Sequence, residues 1–191
     1  MIRGKLTNIA FQTFFVSREI SNCPQIVEFI GFCKKLDELK LLKDSEVSIS
    51  MAYGRRMLIN AMYTNFVNIK QDDIIEIVDY DPIKNVMLAI GKKEPCTETP
   101  VHWIVQKARN DVNAAVLFNN KKIFEKLYKN LPTTENEAPS GTIDLAKEVL
   151  KKLREGKNIL IKNKGALFVG VNLKEIKDFV LKIGIDGLNE S

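Results

Sequence analysis

Glu94-Pro-Cys-Thr-Glu-Thr-Pro-Val-His102 and, shortly after it, Ala108-Arg-Asn-Asp-Val-Asn-Ala-Ala-Val116 are the runs on which the fold of this chain turns. In the first, Thr97 suits an N-cap, Glu98 the positive end of a helix dipole, and Pro100 a first helical turn. Val101, Ile104, Val105 and Ala108 then recur at helical spacing and make one buried stripe. Residues 113–118 form a short apolar run that predicts a strand. The block is therefore a helix feeding a strand, with Glu98 and His102 four apart on one helix face.

Upstream, residues 5–16 alternate, with Ile9, Phe11, Thr13 and Phe15 on one side, and predict an opening strand. From Pro24 the period changes. Ile26, Phe29, Ile30, Cys33, Leu36 and Leu39 fit a helix with Pro24 in its first turn. Strands are predicted at 46–50, 57–60, 74–79 and 86–90, the last two joined as a hairpin through the turn-rich residues 79–85. Downstream, 121–131 is expected to be a helix and the polar segment 132–141 a loop. Thr142 caps a helix running to about residue 155 that Gly156 closes. Residues 158–162 and 166–171 form strands around the turn Asn163-Lys164-Gly165, and Asn172 caps a last helix, 173–183. Clustered strands with helices between the clusters predict an α/β fold: one three-layer domain, a mostly antiparallel central sheet covered by helices.

Composition narrows the function. Hydrophobic residues are 45% and charged residues 28% of 191, as in an ordinary globular domain. Lys plus Arg number 29 against 24 for Asp plus Glu, a net +5. The basic pairs Arg55-Arg56, Lys92-Lys93, Lys121-Lys122 and Lys151-Lys152 are scattered rather than gathered into one stretch, so no nucleic-acid partner is expected. No apolar run approaches the ~20 residues that span a bilayer, so no membrane partner is expected either. Cys23, Cys33 and Cys96 form no CxxC pair, which points to free thiols and a cytoplasmic setting. His102 is the one histidine. A three-histidine metal site is excluded by that count.

Taken together, the opening block, Gln71-Asp72-Asp73-Ile74 with Val78-Asp79, and Asn158-Ile-Leu-Ile-Lys-Asn-Lys-Gly-Ala-Leu-Phe-Val-Gly170 resemble the class II aldolase/adducin family. Leu131-Pro-Thr-Thr-Glu and Gly141-Thr-Ile-Asp-Leu-Ala fit it as well. The resemblance runs from Pro24 to the C-terminus, so residues 1–23 are set apart as an N-terminal strand or arm and 24–191 as the domain. It implies that Leu117, Asn119 and Lys164 stand where family enzymes place three zinc-binding histidines, and that Glu98 stands at the catalytic glutamate. It implies substrate-facing positions at Ser48, Cys96 and Thr97. Ser45-Glu46-Val47-Ser48 and Asn60-Ala61-Met62-Tyr63 replace phosphate-binding turns, with Glu46 putting negative charge where a phosphate would sit. A ring of four subunits is implied too.

Zinc prefers imidazole, thiolate or carboxylate ligands, so the expectation is a lost zinc site, no cofactor and no metal. Without a metal to stabilise an enediolate, the main functional expectation is a non-catalytic binding or assembly module. The alternative is an aldehyde-lyase or epimerase acting on a small sugar or aldehyde, using Glu98 with a different metal or cofactor arrangement. Glu98 and His102 could form an acid–base dyad or a two-ligand metal site, or could be a dipole carboxylate and a histidine paired with it or packed at the surface. Cys96 could be a reactive thiol or a small buried side chain. Lys164 could replace the metal by pairing with Glu98, or could be a solvated lysine at a hairpin tip.

Overall fold

Strands form where β-branched and aromatic residues run together. In chain order they are β1 (Gln12–Ser17), β2 (Glu46–Tyr53), β3 (Arg56–Asn60), β4 (Ile74–Asp81), β5 (Val86–Ile90), β6 (Ala114–Asn119), β7 (Asn158–Ile161) and β8 (Gly165–Gly170). The helices are α1 (Ile26–Glu38), α2 (Thr99–Ala108), α3 (Lys121–Leu127), α4 (Ile143–Lys152) and α5 (Leu173–Lys182). Two 3-10 turns, Phe66–Asn68 and Gln71–Asp73, precede β4. The structure, a computed structural model, describes residues 11–42 and 45–183. The start of the expected opening strand, residues 5–10, lies outside the described residues.

All eight strands join one sheet in the order β1-β5-β4-β3-β2-β6-β8-β7. Among the described residues six neighbouring pairs are antiparallel, and only β1 runs parallel to its neighbour β5. The sheet is mixed and mostly antiparallel, as the sequence predicts. β1, in the segment set apart as an arm, is hydrogen-bonded within its own chain, and Phe11 just before it lies in the core.

The two faces of β6 show how the layers are made. Ala114, Val116 and Phe118 face one core, packed by side chains of α1, α3 and α5. Ala115 and Leu117 face the other, with Val101 and Val105 of α2 and Leu145, Ala146 and Val149 of α4. Both faces are covered, so β6 loses the apolar–polar alternation of a half-exposed strand. Trp103 carries α2 onward over Met57, Ile59, Ile75, Ile77, Met87 and Ala89 of β3 to β5.

Helix ends follow local chemistry with four departures from expectation. Asn120, Thr142 and Asn172 each accept a backbone N–H three residues on, from Ile123, Leu145 and Glu175. Pro24 precedes the N-cap Gln25 instead of entering the first turn of α1. Glu98, not Thr97, occupies the N-cap position of α2, with Pro100 in its first turn. α3 stops at Leu127, before Pro132 and the non-helical backbone a proline imposes on its predecessor. α4 stops at Lys152, and Gly156 does not close it: the Arg109 guanidinium takes the Leu153 carbonyl, supplying the partner that a left-handed glycine cap would otherwise provide.

Candidate functional site

The sheet brings four segments to one place: the start of β2, the end of β3, the end of β6 and the β7–β8 turn. Cross-strand register sets Ser48 opposite Leu117 and Glu46 opposite Asn119. The Asn119 carboxamide donates to Glu46 at 3.1 Å. Here a cavity of about 990 Å³ opens, lined among others by Ser48, Asn60, Cys96, Thr97, Glu98 and Asn119. Leu117 also lines it, as do Ala61, Met62 and Tyr63 from the segment after β3. Asn60 is fixed by accepting the Ile49 N–H at 2.7 Å and donating to the Ala61 carbonyl at 3.1 Å.

Glu98 sits in the wall of this cavity. Its side chain does not cap its own helix. One oxygen lies 2.9 Å from the Lys164 ammonium, and the other accepts the Gly141 N–H at 3.1 Å. Lys164 also donates to Ser140 Oγ. Both partners are sunk in the protein, with side chains 12% and 9% exposed for Lys164 and Glu98. The ion pair raised from the sequence is therefore present, and Lys164 is not a solvated hairpin tip.

Two glycines make this approach possible. Gly141 has φ of 70°, and a Cβ there would stand 2.2 Å from the Thr97 carbonyl oxygen. At Gly165 a Cβ would stand 1.8 Å from the Phe118 carbonyl oxygen. One lets the loop before α4 lie against the start of α2, and the other lets the Lys164 turn lie against β6.

His102 needs correcting. It lies one turn along α2 and is fully buried, outside the residues that line the cavity. Its Nε2 is 2.8 Å from Ser48 Oγ and its Nδ1 2.7 Å from Ser50 Oγ, so neither nitrogen is bonded to Glu98. Burial disfavours the imidazolium and pulls the pKa down to about 4, with the Glu98 charge opposing. The dyad reading gives way to a buried histidine hydrogen-bonded to Ser48 and Ser50. Cys96 is buried as well; desolvation pushes its thiol up to about 12, a hydrogen bond with Thr99 opposes, and the Glu98 charge adds to the rise. It is a small buried side chain, not a reactive thiol. Ser48, Cys96 and Thr97 do all line the cavity.

Sequence reasoning missed Ser50, Gln106 and Ser140. The signal for Ser50 was there: Ser48 and Ser50 alternate in an otherwise apolar strand, so both hydroxyls share one buried face.

No family model matches the chain. It is similar to an L-fuculose phosphate aldolase of Methanocaldococcus jannaschii, 27% identical over 177 residues, covering 83% of this chain and 89% of that protein. Its structure is similar to that of an L-fuculose 1-phosphate aldolase, with a TM-score of 0.70 at 22% identity over 90% of this chain and 88% of the other. It is also similar to the N-terminal class II aldolase domain of a Thermoplasma acidophilum protein, with a TM-score of 0.63 at 17% identity over 90% and 95%. The chain is thus similar in sequence to one such aldolase and shares the fold of class II aldolase structures. Its mixed sheet and helices are the fold of those class II aldolase structures.

The zinc that the class II aldolase resemblance implies does not fit the residues present. The three positions it assigns to ligands hold an aliphatic side chain, a carboxamide and an ammonium. The ammonium already lies 2.9 Å from the Glu98 carboxylate, where it would repel a divalent ion. Among the described residues, no three His, Cys, Asp or Glu side chains come together as a ligand set. Among them, too, no helix is long and apolar enough to cross a membrane.

Proposed function

We propose that this chain, which shares the class II aldolase fold, binds a small hydroxylated carbonyl compound in the Glu98 cavity and acts on it as an aldehyde-lyase or epimerase. The Glu98–Lys164 pair carries this reading. An ammonium has three N–H groups. Lys164 directs one to Glu98 and one to Ser140, two residues that line the cavity, and so fixes both side chains there from behind. In carbon–carbon cleavage, Glu98 would take the proton of the ligand hydroxyl as that bond breaks. The electron pair would move onto the carbonyl oxygen, whose growing charge the hydroxyls lining the cavity would stabilise, and Glu98 would return its proton to the enolate carbon. Glu46, lining the same cavity, disfavours a phosphorylated ligand and favours a free sugar or aldehyde. Similarity to proteins named as fuculose-phosphate aldolases supports the reaction class. The proposal involves no metal or cofactor.

A second reading, a non-catalytic binding or assembly module, draws on a different observation: both Glu98 oxygens are already bonded within the protein. One experiment separates them. Metal-free protein is incubated with a panel of ketoses and aldoses, and cleavage or epimer formation is followed by chromatography. Turnover that Glu98→Gln lowers by roughly 10²- to 10⁴-fold supports catalysis. Binding without turnover supports the module.

A homo-oligomer, a tetramer as the resemblance implies, belongs to this proposal. Phe14 pairs with Leu88 where β1 runs beside β5, and with Val16 they leave an exposed apolar surface.

A further inference from the structure

The residues around His102 form a chain whose direction can be worked out from donors and acceptors. Gln106 Nε2 donates to Ser50 Oγ at 2.8 Å. Ser50 Oγ lies 2.7 Å from His102 Nδ1, and His102 Nε2 lies 2.8 Å from Ser48 Oγ. A neutral imidazole has one N–H donor and one acceptor nitrogen, and a hydroxyl has one proton to give. Ser50 is fully buried. If Nδ1 carried the imidazole proton, Ser50 would receive from both Gln106 and His102, and its own buried proton would have no acceptor. Buried donors are rarely left so. With the proton on Nε2, every link is satisfied: Gln106 gives to Ser50, Ser50 to Nδ1, and Nε2–H to Ser48.

This direction decides what Ser48 can do. Its oxygen is occupied as an acceptor, and its own proton is left for the cavity that it lines. His102 cannot then serve as a base for Ser48, because the nitrogen facing the hydroxyl is the protonated one. We infer that the Gln106–Ser50–His102 chain fixes Ser48 as a hydrogen-bond donor into the cavity, so that the ligand group seated against it is an acceptor oxygen, a carbonyl or hydroxyl oxygen of a small hydroxylated compound. Successive links polarise one another and strengthen the last donor. Ser48 is thus a specificity-determining residue, and Gln106, outside the cavity lining, is a positioning residue for it. The ligand part of this inference rests on the reading of the cavity as a ligand site; the chain's direction does not.

The single histidine makes the test clean, since one imidazole gives one set of ring signals. Long-range proton–nitrogen correlation on ¹⁵N-labelled, ligand-free full chain reads the tautomer directly. Nε2–H is the result expected, and Nδ1–H would overturn the inference. Gln106→Glu lies at a half-buried position and offers a carboxylate that only accepts. It should turn the Ser50 hydroxyl around and move the imidazole proton to Nδ1; an unchanged tautomer would show that Gln106 does not set the direction. Dihydroxyacetone then serves as the binding probe. Ser48→Ala and Gln106→Glu should each weaken its binding roughly tenfold, the effect of losing one hydrogen bond. Binding that Ser48→Ala leaves unchanged overturns the ligand assignment even with the expected tautomer. Failure of the wild type to bind the probe counts against both the ligand assignment and the ligand-site reading, and the tautomer alone then decides the chain.

Discussion

Glu98 and His102 lie one turn apart on α2 and are satisfied in opposite ways. Glu98 is held by an ammonium and a backbone N–H from two distant loops, and two close-packed glycines are needed to bring those loops in. His102 is neutral and needs only hydroxyls already spaced along the adjacent strand. A buried charge thus constrains backbone across the molecule, whereas a buried neutral ring constrains only its neighbours. The contrast should appear in stability. Lys164→Met strands the Glu98 carboxylate and should lower the unfolding free energy by about 3–5 kcal/mol, the usual effect of removing one partner of a buried pair. Adding Glu98→Gln should restore most of that loss, because no uncompensated charge remains. Urea denaturation of both variants measures it. Equal losses in the single and double variants would erase the contrast.

The neutral side of the comparison is tested by acid. The folded His102 pKa is lowered from 6.5 to about 4, first by burial. Above pH 6.5 neither the folded nor the unfolded chain binds this proton, and the native state keeps its full stability. Between pH 6.5 and about 4 the unfolded chain takes up a proton that the folded one refuses, so stability falls as pH falls. Over that window the loss amounts to roughly 3 kcal/mol, at 1.36 kcal/mol per pH unit. His102→Gln removes the titration. The difference in unfolding free energy between wild type and variant should therefore shrink on acidification, and a flat difference from pH 7 to 4.5 would contradict a neutral buried ring.

The two residues also differ in how far the sequence revealed them. Asn172 and Thr142 were legible as caps because the backbone N–H that each receives is three residues away. The strand at Val86–Ile90 was legible because its pattern is local. The Glu98–Lys164 pair came into view only through the family resemblance; by local pattern Lys164 was equally a solvated hairpin tip. His102 was misjudged because helix periodicity tells which residues share a face but not what covers that face. Its partners Ser48 and Ser50 lie 54 and 52 residues away, on a strand whose register no local signal sets. For the same reason the parallel partnership of β1 with β5 was out of reach, since three strands, β2 to β4, intervene between them in sequence.

The smallest effect sharpens the comparison most finely, since it asks whether the charged region depends on backbone that the neutral one does not. Thr142 caps α4 and directly follows Gly141, whose N–H holds Glu98. Asn172 caps α5, whose buried residues belong to the core on the opposite face of the sheet. Thr142→Ala and Asn172→Ala should each lower stability by about 1 kcal/mol, as lost caps do. They should differ in hydrogen exchange at Gly141. Loosening the start of α4 frees the Gly141 backbone and speeds exchange of its amide, whereas loosening α5 leaves that amide as protected as in the wild type. Faster Gly141 exchange in Asn172→Ala would mean that the two faces open together. Unchanged exchange in Thr142→Ala would mean that Glu98 and Lys164 hold the loop without the cap, and that the ion pair, not the helix, is what organises this end of the sheet.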